Sequence, residues 1–235
     1  MNQDTHKQAA ARKAAAYVTE GMTVGLGSGS TVYYFIEALA ENDAVRQTIK
    51  AAASSEQTAA WAAEAGIATA PFDEFDELDI SVDGADEVDA AYQMTKGGGG
   101  ALLREKFVND AAKHRITIID ETKRVSELGA YPLPIEIVPY APKYTAALIE
   151  ALGSTARLRY NDTDVDSGSV PYVTDNGNYI LDCAFTEPIK DPAKLDEKLQ
   201  QTLGVVETGL FINRIDTLII GTSAGVQTET AARPR

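Results

Sequence analysis

Four consecutive glycines, Gly97 to Gly100, interrupt the chain between a strand-like segment and a helix-like one. Glycine loses more backbone freedom on folding than any other residue, and a plain turn needs only one or two. A run of four at such a junction predicts a backbone brought close to a ligand. The surrounding segment, Asp83 to Lys106, concentrates groups that a ligand would need: Asp83, Asp86, Lys96 and the charged set Arg104, Glu105 and Lys106. Upstream, Leu78, Ile80 and Val82 alternate and predict a half-buried strand that gives out at Asp83. In an open α/β sheet, ligands bind at the carboxyl ends of strands. Downstream, Leu102, Leu103, Phe107 and Ala111 predict a helix with one apolar side, its positive N-terminus pointing back at the glycines. Glu105 lies about 200° around that helix from Leu103 and need not share its buried side. Taken singly, acidic loops are usually solvated and an Arg-Glu-Lys triplet is usually a helix surface.

A second glycine-rich turn, GLGSGST from Gly25 to Thr31, stands between an apolar run at Met22 to Leu26 and a helix predicted from Val32, Phe35, Ile36 and Leu39. Strand, glycine turn and helix in that order aim backbone N–H groups and the positive helix end at an anion. The spacing is not the dinucleotide fingerprint: counted from Gly25 the last glycine position holds Ser30, and counted from Gly27 it holds Val32. Nor does the turn end in the Gly-Lys-Ser/Thr of a nucleotide-binding P-loop. It suits a small phosphate monoester; the plainer reading is a tight turn whose Ser and Thr only cap the helix.

Read from its start, the chain offers an alanine-rich helix from Asp4 to Gly21 and a weak strand at Thr48 to Ala53. Ser54 and Gln57 form a capping box for a helix closing at Gly66, and Ile67 to Ala70 is a further short strand. Trp61 reads as a core or interface anchor. Arg115 to Asp120 predicts a strand with Thr122 and Lys123 at its carboxyl end. Strands alternating with helices argue a doubly wound, mainly parallel sheet. Pro132, Pro134, Pro139 and Pro142 then break the pattern and place a domain junction near Gly129 to Pro134. Beyond it come strand (Ile135 to Val138), helix (Tyr144 to Leu152), strands (Arg157 to Tyr160, Tyr179 to Phe185), a helix opened by Pro192 and a strand from Val205. That order is a β-α-β-β-α-β unit of ferredoxin type, with a hairpin turn at Asn176-Gly177. Leu218 to Gly221 returns to the first sheet. The expected fold class is α/β: a doubly wound, mainly parallel sheet domain with an inserted ferredoxin-like α+β lid domain. Residues 1–130 with 207–235 form the Rossmann-like catalytic domain, and residues 131–206 the ferredoxin-like one.

With 35 acidic and 21 basic residues the net charge is −14, which opposes nucleic acid over most of the surface. Local lysines and amides can still build a positive pocket for a small anion. No apolar run approaches the ~20 residues of a membrane span, and the N-terminus lacks an apolar signal core. The one cysteine, Cys183, lies in an apolar strand, so the chain reads as soluble and cytoplasmic. Two histidines and no cysteine pair leave no nitrogen or sulfur metal site. For a small phosphorylated sugar, moving a proton between C1 and C2 through an enediolate needs one base near both carbons and donors for the oxyanion. Glu105 is a candidate base, Lys96 and the loop amides candidate oxyanion stabilisers, and Asp83 and Asp86 candidates for moving hydroxyl protons and opening the sugar ring.

The segments DGADEVD and KGGGGALLREK, with GLGSGST, VTDNGNYILD and GLFINR, resemble the signature of the type A ribose-5-phosphate isomerases over nearly the whole chain. The resemblance implies an aldose-ketose isomerase of the non-oxidative pentose phosphate pathway, interconverting D-ribose 5-phosphate and D-ribulose 5-phosphate. It implies no metal or other cofactor, and assembly as a homodimer or homotetramer. It implies Glu105 as the proton acceptor, and substrate contacts at Ser28, Gly29, Ser30 and Thr31, at Asp83, Gly84, Ala85 and Asp86, at Lys96, Gly97, Gly98 and Gly99, and at Lys123. Two departures are visible: Ser28 stands where many members have threonine, and the acidic stretch Asn161 to Ser169 lengthens the small domain. A sugar-phosphate sensor on the same scaffold would keep GLGSGST without needing Glu105, Asp83 and Lys96 together. An amino-sugar phosphate deaminase should lack the full KGGGGALLREK. The presence of both sets favours the isomerase.

Overall fold

The computed structural model describes residues 3–161 and 169–231, so residues 162–168 of the expected acidic extension lie outside the described residues. The chain opens with α1 (Gln3–Ala15), β1 (Thr23–Leu26), α2 (Ser30–Ala40), a short α3 (Asp43–Thr48), β2 (Lys50–Ala53), α4 (Glu56–Glu64) and β3 (Leu78–Asp83). Two very short strands, β4 (Glu87–Val88) and β5 (Met94–Thr95), precede α5 (Leu102–Asp110) and β6 (Ala112–Asp120). Then follow β7 (Leu133–Ile137), α6 (Pro142–Glu150), β8 (Ser154–Leu158), β9 (Tyr179–Phe185), α7 (Pro192–Gln200) and β10 (Val205–Thr208). The chain closes with β11 (Leu210–Phe211), β12 (Thr217–Thr222) and β13 (Gly225–Thr230). Two units emerge: Met1–Ala85 with Arg104–Arg124 and Asn213–Arg235, and Asp86–Leu103 with Val125–Ile212. One boundary falls inside α5, between Leu103 and Arg104. Among the described residues no helix is long and apolar enough to cross a membrane.

The first unit is built on a six-stranded sheet in the order β13-β12-β6-β3-β1-β2. Its pairings are parallel except for β13, which lies antiparallel on β12. Val24 registers with Ile80 and Leu26 with Val82. All four are core residues, packed with Val32, Phe35, Ile36 and Leu39 of α2 in the i, i+3, i+4, i+7 stripe that the sequence predicts. From β1 the chain goes to β2 on one side, then crosses to β3 on the other. The loops after β1 and β3 therefore part company, and this switch point is where an open α/β sheet leaves a crevice.

Several local expectations change. α1 ends at Ala15 rather than Gly21, and its last carbonyls are taken up in a tightened turn, Tyr17 N–H on Ala14 O and Val18 N–H on Ala15 O. Ser55, not Ser54, caps α4 by accepting from Thr58 N–H, because Ser54 is fully buried. Ile67 to Ala70 makes one bridge, Thr69 to Ala51, in place of a strand. Pro71 follows at once and has no N–H to continue a ladder. β3 is buried along both faces rather than alternating, with Ile80 to Asp83 all buried, as in parallel sheets whose crossover helices cover both faces.

The second unit carries an antiparallel sheet in the order β10-β7-β9-β8, with β7-α6-β8-β9-α7-β10 along the chain, the ferredoxin-like topology expected. Asp191 caps α7 by accepting from Lys194 N–H, and Pro192 occupies its first turn. The core is Leu133, Ile135, Ile137, Leu181, Cys183 and Leu199 with their neighbours. Burial, helped by Asp182, pushes the Cys183 thiol up to about 12. The Asn176-Gly177 turn is tied to Glu136, a fully buried carboxylate on β7 whose Oε1 accepts from Thr174 Oγ1 and from the amides of Asn176 and Asn178. A separate three-stranded sheet orders β11-β5-β4.

Candidate active site

At the switch point of the first unit, Asp83 ends β3 and is 6% exposed. Its Oδ1 accepts two backbone N–H groups, from Ser28 at 3.1 Å and Gly84 at 2.7 Å. The turn after β1 is thereby locked to the end of β3. A Cβ on Gly27 would stand 2.0 Å from the Asp83 carboxyl carbon, so only glycine fits there. Gly29, with φ +96°, turns the chain into α2, whose first residues are Ser30 and Thr31. The turn thus leads directly into the start of α2, the kind of helix N-terminus that suits an anion.

The Ser28 hydroxyl stands 2.8 Å from Ser54 Oγ, 3.0 Å from Ser55 Oγ and 3.3 Å from Thr58 Oγ1, and Thr58 in turn donates to Gly27 O. This hydroxyl cluster and Lys7, whose ammonium donates to Ser30 Oγ at 3.1 Å, are absent from the sequence reading. Neither leaves a local signal: Lys7 lies 23 residues from Ser30, on α1.

Glu105, 4% exposed, sits on the buried side of α5 with Lys106 (8%) and Asn109 (4%), whereas Phe107 is 56% exposed. The expected apolar side is thus wrong in direction. Leu102, Glu105, Lys106 and Asn109 form the i, i+3, i+4, i+7 stripe that faces inward, and only its first member is apolar. Asn109 donates to Arg214 O at 3.1 Å. Charged groups gathered on the inward side of one helix make that side a candidate for chemistry.

Lys123 closes a one-turn 3-10 segment at the carboxyl end of β6, half-buried. Asp120, 1% exposed, shapes that turn: its Oδ1 accepts from Thr122 N–H at 3.0 Å and from Thr122 Oγ1, and its Oδ2 from the Gln3 amide at 3.1 Å. Burial works against the Asp120 charge, but the Thr122 and Gln3 hydrogen bonds and nearby Lys123 outweigh it and hold the carboxyl below its ordinary value.

The second unit holds Asp86, Lys96 and the glycine loop. Asp86 Oδ2 accepts from Gly98 N–H at 2.9 Å. Lys96 is 3% exposed, with its backbone N–H on Gly209 O and its ammonium 5.4 Å from the centre of the Phe211 ring. A Cβ on Gly98 would come within 2.8 Å of Asp86 Oδ1 (2.7) and the Tyr131 hydroxyl (2.8), and one on Gly100 within 2.2 Å of the Tyr172 hydroxyl; beside Gly99 there is open space. The loop is therefore glycine-rich because side chains of its own unit crowd its backbone. The structure thus groups Ser28, Gly29, Ser30, Thr31, Asp83, Gly84, Ala85, Glu105 and Lys123 in one unit. Asp86, Lys96, Gly97, Gly98 and Gly99 belong to the other.

The family model for ribose 5-phosphate isomerase A (phosphoriboisomerase A) matches residues 50–225. Ribose-5-phosphate isomerase A 1 of Oceanobacillus iheyensis is 47% identical over 93% of this chain and 95% of its own length, and the ribose-5-phosphate isomerase A of Bacillus mycoides is 45% identical over 94% and 97%. Among solved structures, ribose 5-phosphate isomerase A from Neisseria gonorrhoeae is similar with a TM-score of 0.90 at 36% identity, covering 98% of each chain. A D-ribose-5-phosphate isomerase in complex with phospho-erythronic acid gives 0.91 at 36% identity, over 98% of this chain and 100% of the other. Matched from the strand-end aspartate through the glycine loop to the last parallel strand, this chain belongs to the ribose 5-phosphate isomerase A family.

Proposed function

We propose that the protein interconverts D-ribose 5-phosphate and D-ribulose 5-phosphate through an enediolate. The observation that carries this reading is Glu105, a carboxylate buried on an inward-facing polar helix stripe of a chain in this family. The phosphate is bound at the start of α2 by the Ser28 to Thr31 turn, with Lys7 and Lys123 as cations. A relative's complex with phospho-erythronic acid, a phosphorylated sugar acid, supports a phosphorylated sugar as the ligand. Asp83 and Asp86 pass hydroxyl protons and open the ring. Glu105 takes the proton from C2 of the aldose and returns it to C1, while the hydroxyl proton moves from O2 to O1. Lys96 and the glycine-loop amides stabilise the oxyanion between those steps. In this reading the enzyme works in the cytoplasm as a homodimer or homotetramer, with residues 1–130 and 207–235 as its catalytic domain.

Following the conversion of ribose 5-phosphate to ribulose 5-phosphate by the purified protein tests the proposal. Turnover that persists with chelator present supports it, and the absence of turnover under all conditions removes it.

A further inference from the structure

Arg159, immediately after β8, reaches the glycine loop from within the same unit. Asp182 on β9 holds its guanidinium by two bonds, Nε to Oδ2 at 2.9 Å and Nη2 to Oδ1 at 2.5 Å. The remaining nitrogen, Nη1, donates to Gly97 O and to Gly98 O, each at 3.1 Å. Tyr172, whose ring lies 5.8 Å from the guanidinium carbon, donates to Gly99 O at 3.4 Å. Three successive carbonyls of the loop are thus taken by one pair of side chains.

In a trans peptide the carbonyl and the next N–H point in opposite directions. The Gly97–Gly98 peptide plane is therefore held at both ends, by Arg159 on its oxygen and by the Asp86 carboxylate on its N–H. A cation on the carbonyl also polarises the amide and makes its N–H the stronger donor. We propose that Arg159 is a positioning residue for the isomerisation, acting through the Gly97–Gly98 peptide to fix the carboxylate of Asp86. Asp182, bound to Nε and Nη2, keeps the planar guanidinium aimed. Lysine cannot replace it, because an ammonium has no fork to grip a carboxylate and two carbonyls at once.

The inference rests on the proposed isomerase activity, and its test has one arm that does not. In that arm the amide signal of Gly98 is followed by NMR. Bonded to a carboxylate, the proton resonates downfield; R159Q and D86N should each move it upfield, while an unmoved signal in R159Q overturns the inference whether or not the protein is active. The kinetic arm compares R159Q with wild type on ribose 5-phosphate. The expected loss in kcat is about tenfold to a hundredfold, the worth of one or two charge-assisted contacts, with KM within about twofold. Exogenous guanidinium should restore part of the rate. In the D86N background R159Q should add almost nothing, since the two act through one peptide. A loss that guanidinium does not relieve and that multiplies with D86N would make Arg159 a prop of the fold alone. Should R159Q fail to fold, D182N keeps the arginine, loosens its aim, and is judged by the same amide signal and the same cycle. Wild-type protein without turnover but with a Gly98 signal that responds to R159Q would remove the isomerase reading and leave the positioning contact standing.

Discussion

In the first unit the sheet itself holds the polar groups. Asp83 ends a buried central strand, two backbone N–H groups fix its carboxylate, and the turn beside it has no room for a side chain at Gly27. In the second unit Asp86 and Lys96 flank strands of two residues each, and the loop after them is gripped by Arg159 and Tyr172. A parallel sheet provides a crevice at its switch point through topology alone. A loop beside minimal strands gains the same order only when distant side chains bind its backbone. Order in the first unit is therefore inherited from secondary structure, and in the second it depends on particular side-chain contacts.

The largest effect expected is for Glu105→Gln, which keeps shape and hydrogen-bonding reach but cannot accept a proton. General-base contributions run at about 10²- to 10⁴-fold, so kcat should fall by that factor with KM little changed. In D₂O the uptake of solvent deuterium at the sugar carbon beside the carbonyl should slow in parallel. Near wild-type turnover and exchange would move the search for the base to Asp83 or Asp86. Next in size is Lys123→Ala, which removes a charge-assisted contact of roughly 1.5 to 3 kcal/mol and should lower kcat/KM about tenfold to a hundredfold. The loss should be greater for ribose 5-phosphate than for ribose; equal losses would show that Lys123 does not meet the phosphate.

Three glycine replacements set the units against each other. Gly27→Ala drives a methyl into a carboxylate locked by two amides, and overpacking of that kind costs about 1–3 kcal/mol, measurable as a lower denaturation midpoint. Gly98→Ala meets only the ends of the Asp86 and Tyr131 side chains, which can swing aside. Its damage should fall on kcat more than on stability. Gly99→Ala enters open space and should stay within about 0.5 kcal/mol of wild type. If Gly27→Ala proved as stable as Gly99→Ala, the rigid sheet end would lose its claim. The smallest effect is a pH dependence. The folded pKa of Asp120 lies below its ordinary 3.8, so the stability it contributes is present above that value and is lost as pH falls through the folded pKa. Asp120→Asn should therefore lower the Tm at neutral pH, by an amount that shrinks on acidification toward pH 3. A gap that stays constant would show that the carboxylate charge is not what holds the Lys123 turn.

The same contrast explains what could be read from the sequence. The β1, turn and α2 segment was legible because its stripe of Val32, Phe35, Ile36 and Leu39 is apolar and faces inward. Strand β9 was legible to the residue, and the small antiparallel unit followed from its order of elements. The orientation of α5 was not: hydrophobic periodicity puts Phe107 inside, whereas the fold buries Glu105, Lys106 and Asn109 in its stead. Ser54 and Ser55 are equally good caps by composition, and only the fold, which buries Ser54 and leaves Ser55 to accept from Thr58 N–H, decides between them. Lys7 and Arg159 act across 23 and 62 residues, through side chains whose reach no local pattern encodes.

Cys183 has a practical consequence. With a thiol pKa of about 12, only on the order of one molecule in 10⁵ carries a thiolate at neutral pH, and the thiolate is the reacting form. Folded protein should leave a disulfide reagent such as Ellman's reagent unconsumed until denaturant is added. The natural chain is then already a silent background for site-directed labelling. A single cysteine introduced at an open position such as Leu203, 73% exposed, would accept one probe at one known place without any native residue first having to be removed.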